Sequence, residues 1–382
     1  MLPFLQELIR TPSLSAQEGP IVERVAQEMR RVGFAEVFVD EIGNVVGRIG
    51  PGQGRRLLYD AHLDTVDIGD PTSWPRDPYG AQVEGGVIYG RGAADNKGAM
   101  AAMIYGAKLL IDSGIELAGD LFVAGVVQEE VCEGYAAELL CRRVKPQAVV
   151  LGEATNLQIS RGQRGRMALA LTVRGRSCHA SAPERGANAI YLMNPILAQM
   201  EALSPKLKRD DFLGPGSVAV TRIKSSSGGL NVVPDSCTIY LDRRLTWGED
   251  EALALSQVHE AAAQAGVEAE VRLLEYEARS HTGYPCHQKE YFPPWTLPPD
   301  HPLVETGVWA VEKALGYTPE VGRWLFSTDG VATMGRLGIP TIGFGPGEEG
   351  HAHTTEDQVR REDLVKAAQV YAQLAIEFLG RQ

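Results

Sequence analysis

The chain has 382 residues, more than one ordinary domain, so two domains or one domain with a large insertion is the expectation, with a core that needs no covalent staples. With 44% hydrophobic and 23% charged residues, the composition excludes a disordered or fibrous chain. A formal charge of −12 argues against nucleic acid as a partner, because phosphate binding needs a basic surface that releases counterions.

Residues 2–10 and 17–32 carry apolar side chains at helical spacing, and 40–49 turns toward a β-rich pattern. The stretch Met1 to Ser13 sets Glu7 and Arg10 among leucines and lacks a basic start followed by an apolar run, so it does not read as a signal peptide. No apolar run approaches the ~18 residues of a membrane span. Cys132, Cys141, Cys178, Cys237 and Cys286 are odd in number and form no C-x-x-C pair. They indicate neither a disulfide framework nor a thiolate zinc knuckle, and they fit a reducing, cytoplasmic compartment.

Short β-rich runs at 57–59, 121–127 and 148–151 alternate with helical stretches, including the Ala-rich 98–110. That alternation predicts an α/β fold, a mainly parallel sheet with helices on both faces, whose chemistry sits beyond the carboxyl ends of the strands. From about Gly165 the rhythm changes to strand (166–174), helix (186–201), strands (216–223 and 235–243), helix (249–265) and strand (268–275), a split βαβ, ferredoxin-like order. Helical spacing resumes at 301–315, and the chain closes with a helix over 361–379. The expected organisation is therefore a first domain in two parts, 1–164 and 279–382, around an inserted α+β domain at 165–278. The segment 284–302, rich in proline and aromatics, reads as an irregular crossing or pocket-lining loop.

Five segments carry candidate chemistry. In Asp60-Ala61-His62-Leu63-Asp64, residues two apart in an extended chain share a face, so His62 can ligate a metal while Asp64 holds its other ring nitrogen. The tripeptide alone is common and more often marks a structural or incidental arrangement. Gly90-Arg91-Gly92-Ala93-Ala94-Asp95-Asn96-Lys97-Gly98 fits neither a P-loop nor a dinucleotide fingerprint. Its Asp95 is either a bridge between two cations or the cap of the following helix. Gln128-Glu129-Glu130 places adjacent carboxylates beyond a strand, a costly pairing without a cation, and the plain alternative is a solvated acidic turn. Glu153, in Gly152-Glu153-Ala154, lies just past another strand, where an exposed strand-end acid is the competing reading. His351 and His353, in Gly350-His351-Ala352-His353, are both candidate ligands. The donors are nitrogen and oxygen only, a set that suits zinc, with cobalt or manganese as substitutes.

With those segments in place, the sequence resembles the metallopeptidase and amidohydrolase family of acetylornithine deacetylase, succinyl-diaminopimelate desuccinylase, aminoacylase and glutamate carboxypeptidase over nearly its whole length. Within the family the resemblance narrows to the YgeY-type hydrolases linked to selenium metabolism, through Arg161-Gly162-Gln163-Arg164-Gly165-Arg166-Met167, Asp242-Arg243-Arg244-Leu245-Thr246-Trp247-Gly248-Glu249 and Phe326-Ser327-Thr328-Asp329-Gly330-Val331. The resemblance implies a zinc-peptidase-like fold with an inserted lid or dimerisation domain. Carried over by position, it implies that His62 and Glu153 hold one divalent ion, Glu130 and His353 the other, and Asp95 bridges them. It further makes Glu129 the general base and Asp64 the carboxylate that orients His62. In Ser177-Cys178-His179-Ala180, His179 matches a histidine that reaches a neighbouring subunit's active site, and Asn231 and Arg244 match substrate-binding positions. The metal framework accounts for the surroundings of His179, so thiol catalysis by Cys178 is rejected. The implied activity is hydrolysis of an amide or peptide bond in a small N-acyl amino acid or dipeptide-like substrate by a homodimer. Dipeptidase, carboxypeptidase and carbamoyl amidohydrolase activities are the alternatives on the same site. A metal-free binding or assembly protein is the reading of a different class.

Overall fold

The structure, a computed structural model, describes residues 1–381. At its centre the strand Arg56–His62 is buried from Leu57 onward, and it lies parallel to Asp120–Val126 on one side and Ala148–Leu151 on the other. Thr341–Gly343 adds a further parallel strand beside Ala148–Leu151. Runs such as Leu121-Phe122-Val123-Ala124 and Ala148-Val149-Val150-Leu151 lack alternation because helices cover both faces of this part of the sheet. The flanks are antiparallel: Val45–Ile49 and Glu36–Val39 continue the sheet beyond Asp120–Val126, and Ile159–Gln163 continues it beyond Thr341–Gly343.

The helices Gly98–Asp112 and Arg361–Leu379 pack together against the sheet. Gly106 permits the close approach, since a Cβ there would lie 2.9 Å from the Ala368 carbonyl and from the Tyr371 Cβ. Tyr59 and Tyr371 pack with tilted rings within this core with both hydroxyls satisfied, Tyr59 donating to the Tyr371 carbonyl and Tyr371 to the Phe344 carbonyl, each at 2.6 Å.

A second sheet carries its own core. Its strands lie in the order Ser217–Ser226, Ser236–Leu245, Gly165–Arg174, Ala269–Leu273, with every pair antiparallel. Cys237, Ile239 and Leu241 alternate inward toward Met193, Ile196 and Val258 of the helices Ala189–Leu203 and Glu251–Gln264. Both helices start at side-chain caps, Asn188 accepting from the Ile190 N–H and Asp250 from the Leu253 N–H.

Residues 284–302 are more regular than a crossing loop. Pro285–Lys289 forms a hairpin with Glu275–Arg279, Tyr291–Phe292 extends the second sheet, and Trp295–Thr296 joins the first. Pro285 is the first residue of the hairpin strand, Pro293 and Pro294 lie between strands, Pro298 and Pro299 follow the last strand and Pro302 opens the next helix, so no ladder N–H is lost within a strand interior. The helix Tyr135–Val144, which the sequence reading does not anticipate, follows directly on the Glu129-Glu130 loop.

Candidate metal centre and active-site cleft

Because the four central strands are parallel, the segments that leave their carboxyl ends meet at one edge of the sheet. His62 ends its strand, Glu129 and Glu130 follow Asp120–Val126, Glu153 follows Ala148–Leu151, and the loop carrying His353 follows Thr341–Gly343. Asp95 comes from the π-helical turn Ala93–Lys97, reached through Gly92 in the left-handed region. Together they line a cleft of about 360 Å³ that also receives Glu133, Arg166, Arg244, Phe326, Ser327 and Glu349.

Asp95 is the hub. Its Oδ1 lies 2.8 Å from His62 Nε2 and its Oδ2 lies 3.2 Å from His353 Nε2, so one carboxylate faces two imidazoles with separate oxygens. Both oxygens point to imidazoles, and the helix Gly98–Asp112 that follows has no side-chain cap. His353 Nε2 is 3.0 Å from Glu130 Oε2, and His62 Nε2 is 3.6 Å from Glu153 Oε1. His351 turns elsewhere, its ring within 3.0 Å of Gln358 Nε2.

Asp64 lies beside His62 and serves a second loop as well. The close partner of His62 Nδ1 is the Asp64 main-chain carbonyl at 2.9 Å, whereas the Asp64 carboxylate is 3.6 Å away. That carboxylate is occupied by the N–H groups of Glu129 and Glu130, each at 3.1 Å, and by Ser15 Oγ at 2.7 Å. Asp64 therefore fixes the ring of His62 through its backbone and the loop of Glu129 through its side chain.

The carboxylates that line the cleft outnumber its two imidazoles. Burial pushes the Glu153 carboxyl up to about 8, against the pull of His62 and with added repulsion from Asp95. Burial likewise raises Glu129 well above the ordinary carboxylate range, opposed by His62 and reinforced by Glu153. His353 is driven up to about 10 by its hydrogen bonds to Asp95 and Glu130. His62 also rises, because Glu153, Asp64 and Asp95 outweigh its burial. His62 and His353 are the basic groups nearest to these acids. Imidazoles are neutral when they ligate a metal, so the buried acids call for divalent cations between them, and the oxygen and nitrogen donors fit zinc-type ions.

Of the remaining sequence candidates, Arg244 lines the cleft, while His179 and Asn231 do not. His179 is exposed, bridges Val232 and accepts at Nδ1 from Ser181 Oγ at 2.7 Å. The Ala180 N–H donates to the Asn231 carbonyl at 2.8 Å, so both residues belong to one surface of the second sheet's layer. Sequence reasoning assigned no role to Glu133 and Arg166 in the cleft, nor to the buried Asp60 and Asp329. The sole sequence signal for Asp60 is its place two residues before His62, where the strand period puts it on the same face. Asp329 accepts from the Gly134 N–H at 2.7 Å and so anchors the end of the Glu129 loop.

Fold and site together define a metal-dependent hydrolase of peptide and amide bonds. The chain belongs to peptidase family M20/M25/M40, whose model matches residues 58–377. It is 42% identical over 384 residues to the protein YgeY of Escherichia coli (strain K12), covering 100% of this chain and 95% of that one. It is 29% identical over 391 residues to a succinyl-diaminopimelate desuccinylase of Methylocella silvestris, covering 97% of this chain and 95% of that one. Its fold is similar to that of an M20 family metallo-carboxypeptidase from Sulfolobus solfataricus, with a TM-score of 0.80 at 19% identity and 98% coverage of both chains. Among the described residues no helix is long and apolar enough to cross a membrane.

Proposed function

We propose that this chain hydrolyses the amide or peptide bond of a small N-acyl amino acid or dipeptide-like substrate, with Glu129 as general base. The supporting observation is that Asp64 holds the N–H groups of Glu129 and Glu130 on one carboxylate, setting a proton acceptor beside a candidate ligand. His62 and Glu153 would hold one divalent ion, Glu130 and His353 a second, and Asp95 would share its two oxygens between them. Zinc fits the donors best, and cobalt or manganese suits the same set. When bound, such ions polarise the amide carbonyl and bring the pKa of water down toward roughly 7.

Glu129 takes the proton of the attacking water and delivers it to the leaving nitrogen. Arg244 orients the substrate from the opposite wall of the cleft. His179 and Asn231 lie outside their own cleft, which supports a homodimer in which His179 serves the neighbouring subunit and stabilises the developing oxyanion. The edge strand Ser217–Ser226, paired on one side and exposed from Ala219 onward, with Ile223 at 52% exposure and Leu230 fully exposed nearby, supports residues 165–278 as the dimerisation domain. The free cysteines fit a cytoplasmic setting.

Glu129→Gln tests the assignment. It is expected to abolish release of acid from N-acetyl amino acids and of amino acids from dipeptides, while the zinc content of the purified protein stays unchanged. Turnover at the wild-type rate would sink the role of Glu129. The two product assays also separate deacylase from dipeptidase.

A further inference from the structure

The cleft wall opposite the metal-ligand candidates contains an arrangement that strand physics disfavours. Arg166 and Arg244 are direct cross-strand partners in the antiparallel pair Gly165–Arg174 and Ser236–Leu245, so two guanidinium groups share one face. Like charges at directly opposed positions destabilise a sheet. Asp242, two residues before Arg244 and on the same face, relieves the repulsion. It accepts from Arg166 Nε at 3.1 Å and from Arg244 Nε and Nη2 at 2.7 and 3.2 Å. Glu133, from the end of the Glu129 loop, takes Arg166 Nη1 at 3.3 Å.

These tethers leave Arg166 Nη2 and Arg244 Nη1 without a protein partner among the described residues. Both side chains line the same cleft as His62, Asp95 and Glu129. The local charge is in cationic excess. Arg164 is held below its ordinary value first by burial and then by the neighbouring charges of Arg244 and Arg323. The Nε groups of Arg164 and Arg323 are buried without an acceptor. Four guanidiniums thus stand against the carboxylates of Asp242, Glu133 and Glu290. A guanidinium fixed by carboxylates at its other nitrogens presents its remaining Nη as a preoriented charged donor to an incoming carboxylate. A sequence that keeps a local conflict of this kind marks a functional position.

We propose that Arg166 is a specificity-determining residue that receives a substrate carboxylate remote from the amide being cleaved, so that the cleft favours acidic amides over their neutral counterparts. The inference rests on the hydrolase reading above and adds the substrate class. Arg244 alone would orient any N-acyl amino acid. The second guanidinium adds a requirement for an anionic group on the part of the substrate seated against the second sheet.

The test measures binding, not turnover, so it stands apart from the fate of Glu129 as base. Glutarate and glutaramate, which differ by one carboxylate, are titrated calorimetrically into the zinc-loaded protein. Wild type is expected to bind glutarate about tenfold more tightly, the scale of one charge-assisted contact at a partly exposed site. Arg166→Gln is expected to bring that preference to about twofold or less, with Arg166→Lys retaining part of it. Equal affinities in wild type, no binding of either probe, or a preference unchanged in Arg166→Gln would each overturn the proposal and leave Arg166 as a tie between the two sheets. Should Arg166→Gln fail to fold, the wild-type comparison and Arg166→Lys decide the matter.

Discussion

Single side chains here often do two jobs, and Glu28 shows the same economy far from the cleft. It is buried on the helix Gly19–Val32, where Arg24 Nη2 lies 3.0 Å from Oε2 and Tyr105 donates to Oε1 at 2.8 Å, with Arg31 closing the group. Burial alone would raise this carboxyl, but the hydrogen bonds from Arg31, Tyr105 and Arg24 outweigh it and hold it down to about 2. A carboxyl depressed from its ordinary 4.5 contributes stability that is complete above pH 4.5 and lost as the pH falls toward about 2. Glu28→Gln is therefore expected to cost about 1–3 kcal/mol at pH 7, the scale of charge-assisted hydrogen bonds. Urea unfolding of both proteins at pH 7 and pH 3 checks the sign: the gap must narrow at the lower pH. An equal gap at both values would mean that packing, not charge, sets the cost.

Elements were legible where periodicity and burial coincide. The spacing that predicts helices over 98–110 and 361–379 yields Gly98–Asp112 and Arg361–Leu379, because each presents an apolar face to the sheet. The segments of His62, Asp95, Glu129, Glu130, Glu153 and His353 were legible because parallel strands deliver their ends to one edge. Tyr135–Val144 escaped because its buried face, Ala136, Ala137, Leu140, Cys141 and Val144, is made largely of small side chains that mark a period weakly. The opposition of Arg166 and Arg244 escaped because pairing register depends on residues 78 positions apart, which no local pattern encodes.

Asp357 belongs to the same hidden class and joins two loops that bear metal-ligand candidates. Four residues after His353, it accepts from the Gly92 and Ala94 N–H groups at 2.6 and 2.8 Å and pairs with buried Arg91 at 3.2 Å. Asp357→Ala leaves the Arg91 guanidinium buried without its acid, and the expected destabilisation is about 3–5 kcal/mol by urea unfolding. Zinc affinity should fall with it, since Asp95 and His353 lose their common brace. Unaltered stability would show that Arg91 finds another partner.

At the scale of the whole molecule, the two cores divide the labour, one assembling the metal-ligand candidates and the other carrying His179, Asn231, Arg166 and Arg244. His179 is exposed and outside its own cleft, so its proposed role requires a second copy. A two-fold dimer makes that requirement reciprocal: each subunit lends its histidine and borrows the other's. His179→Ala alone is expected to lower kcat about 10²–10³-fold, the loss typical of one oxyanion donor. Mixing it with Glu129→Gln, after unfolding and refolding together, separates the geometries. In a mixed dimer the His179→Ala subunit keeps its base and receives an intact histidine from its partner, so one of the two sites is whole. Random pairing puts half the chains in mixed dimers, and activity should return to about a quarter of the wild-type level. Were His179 to act within its own subunit, no site in the mixture would hold both groups, and the mixture would stay as inactive as its components.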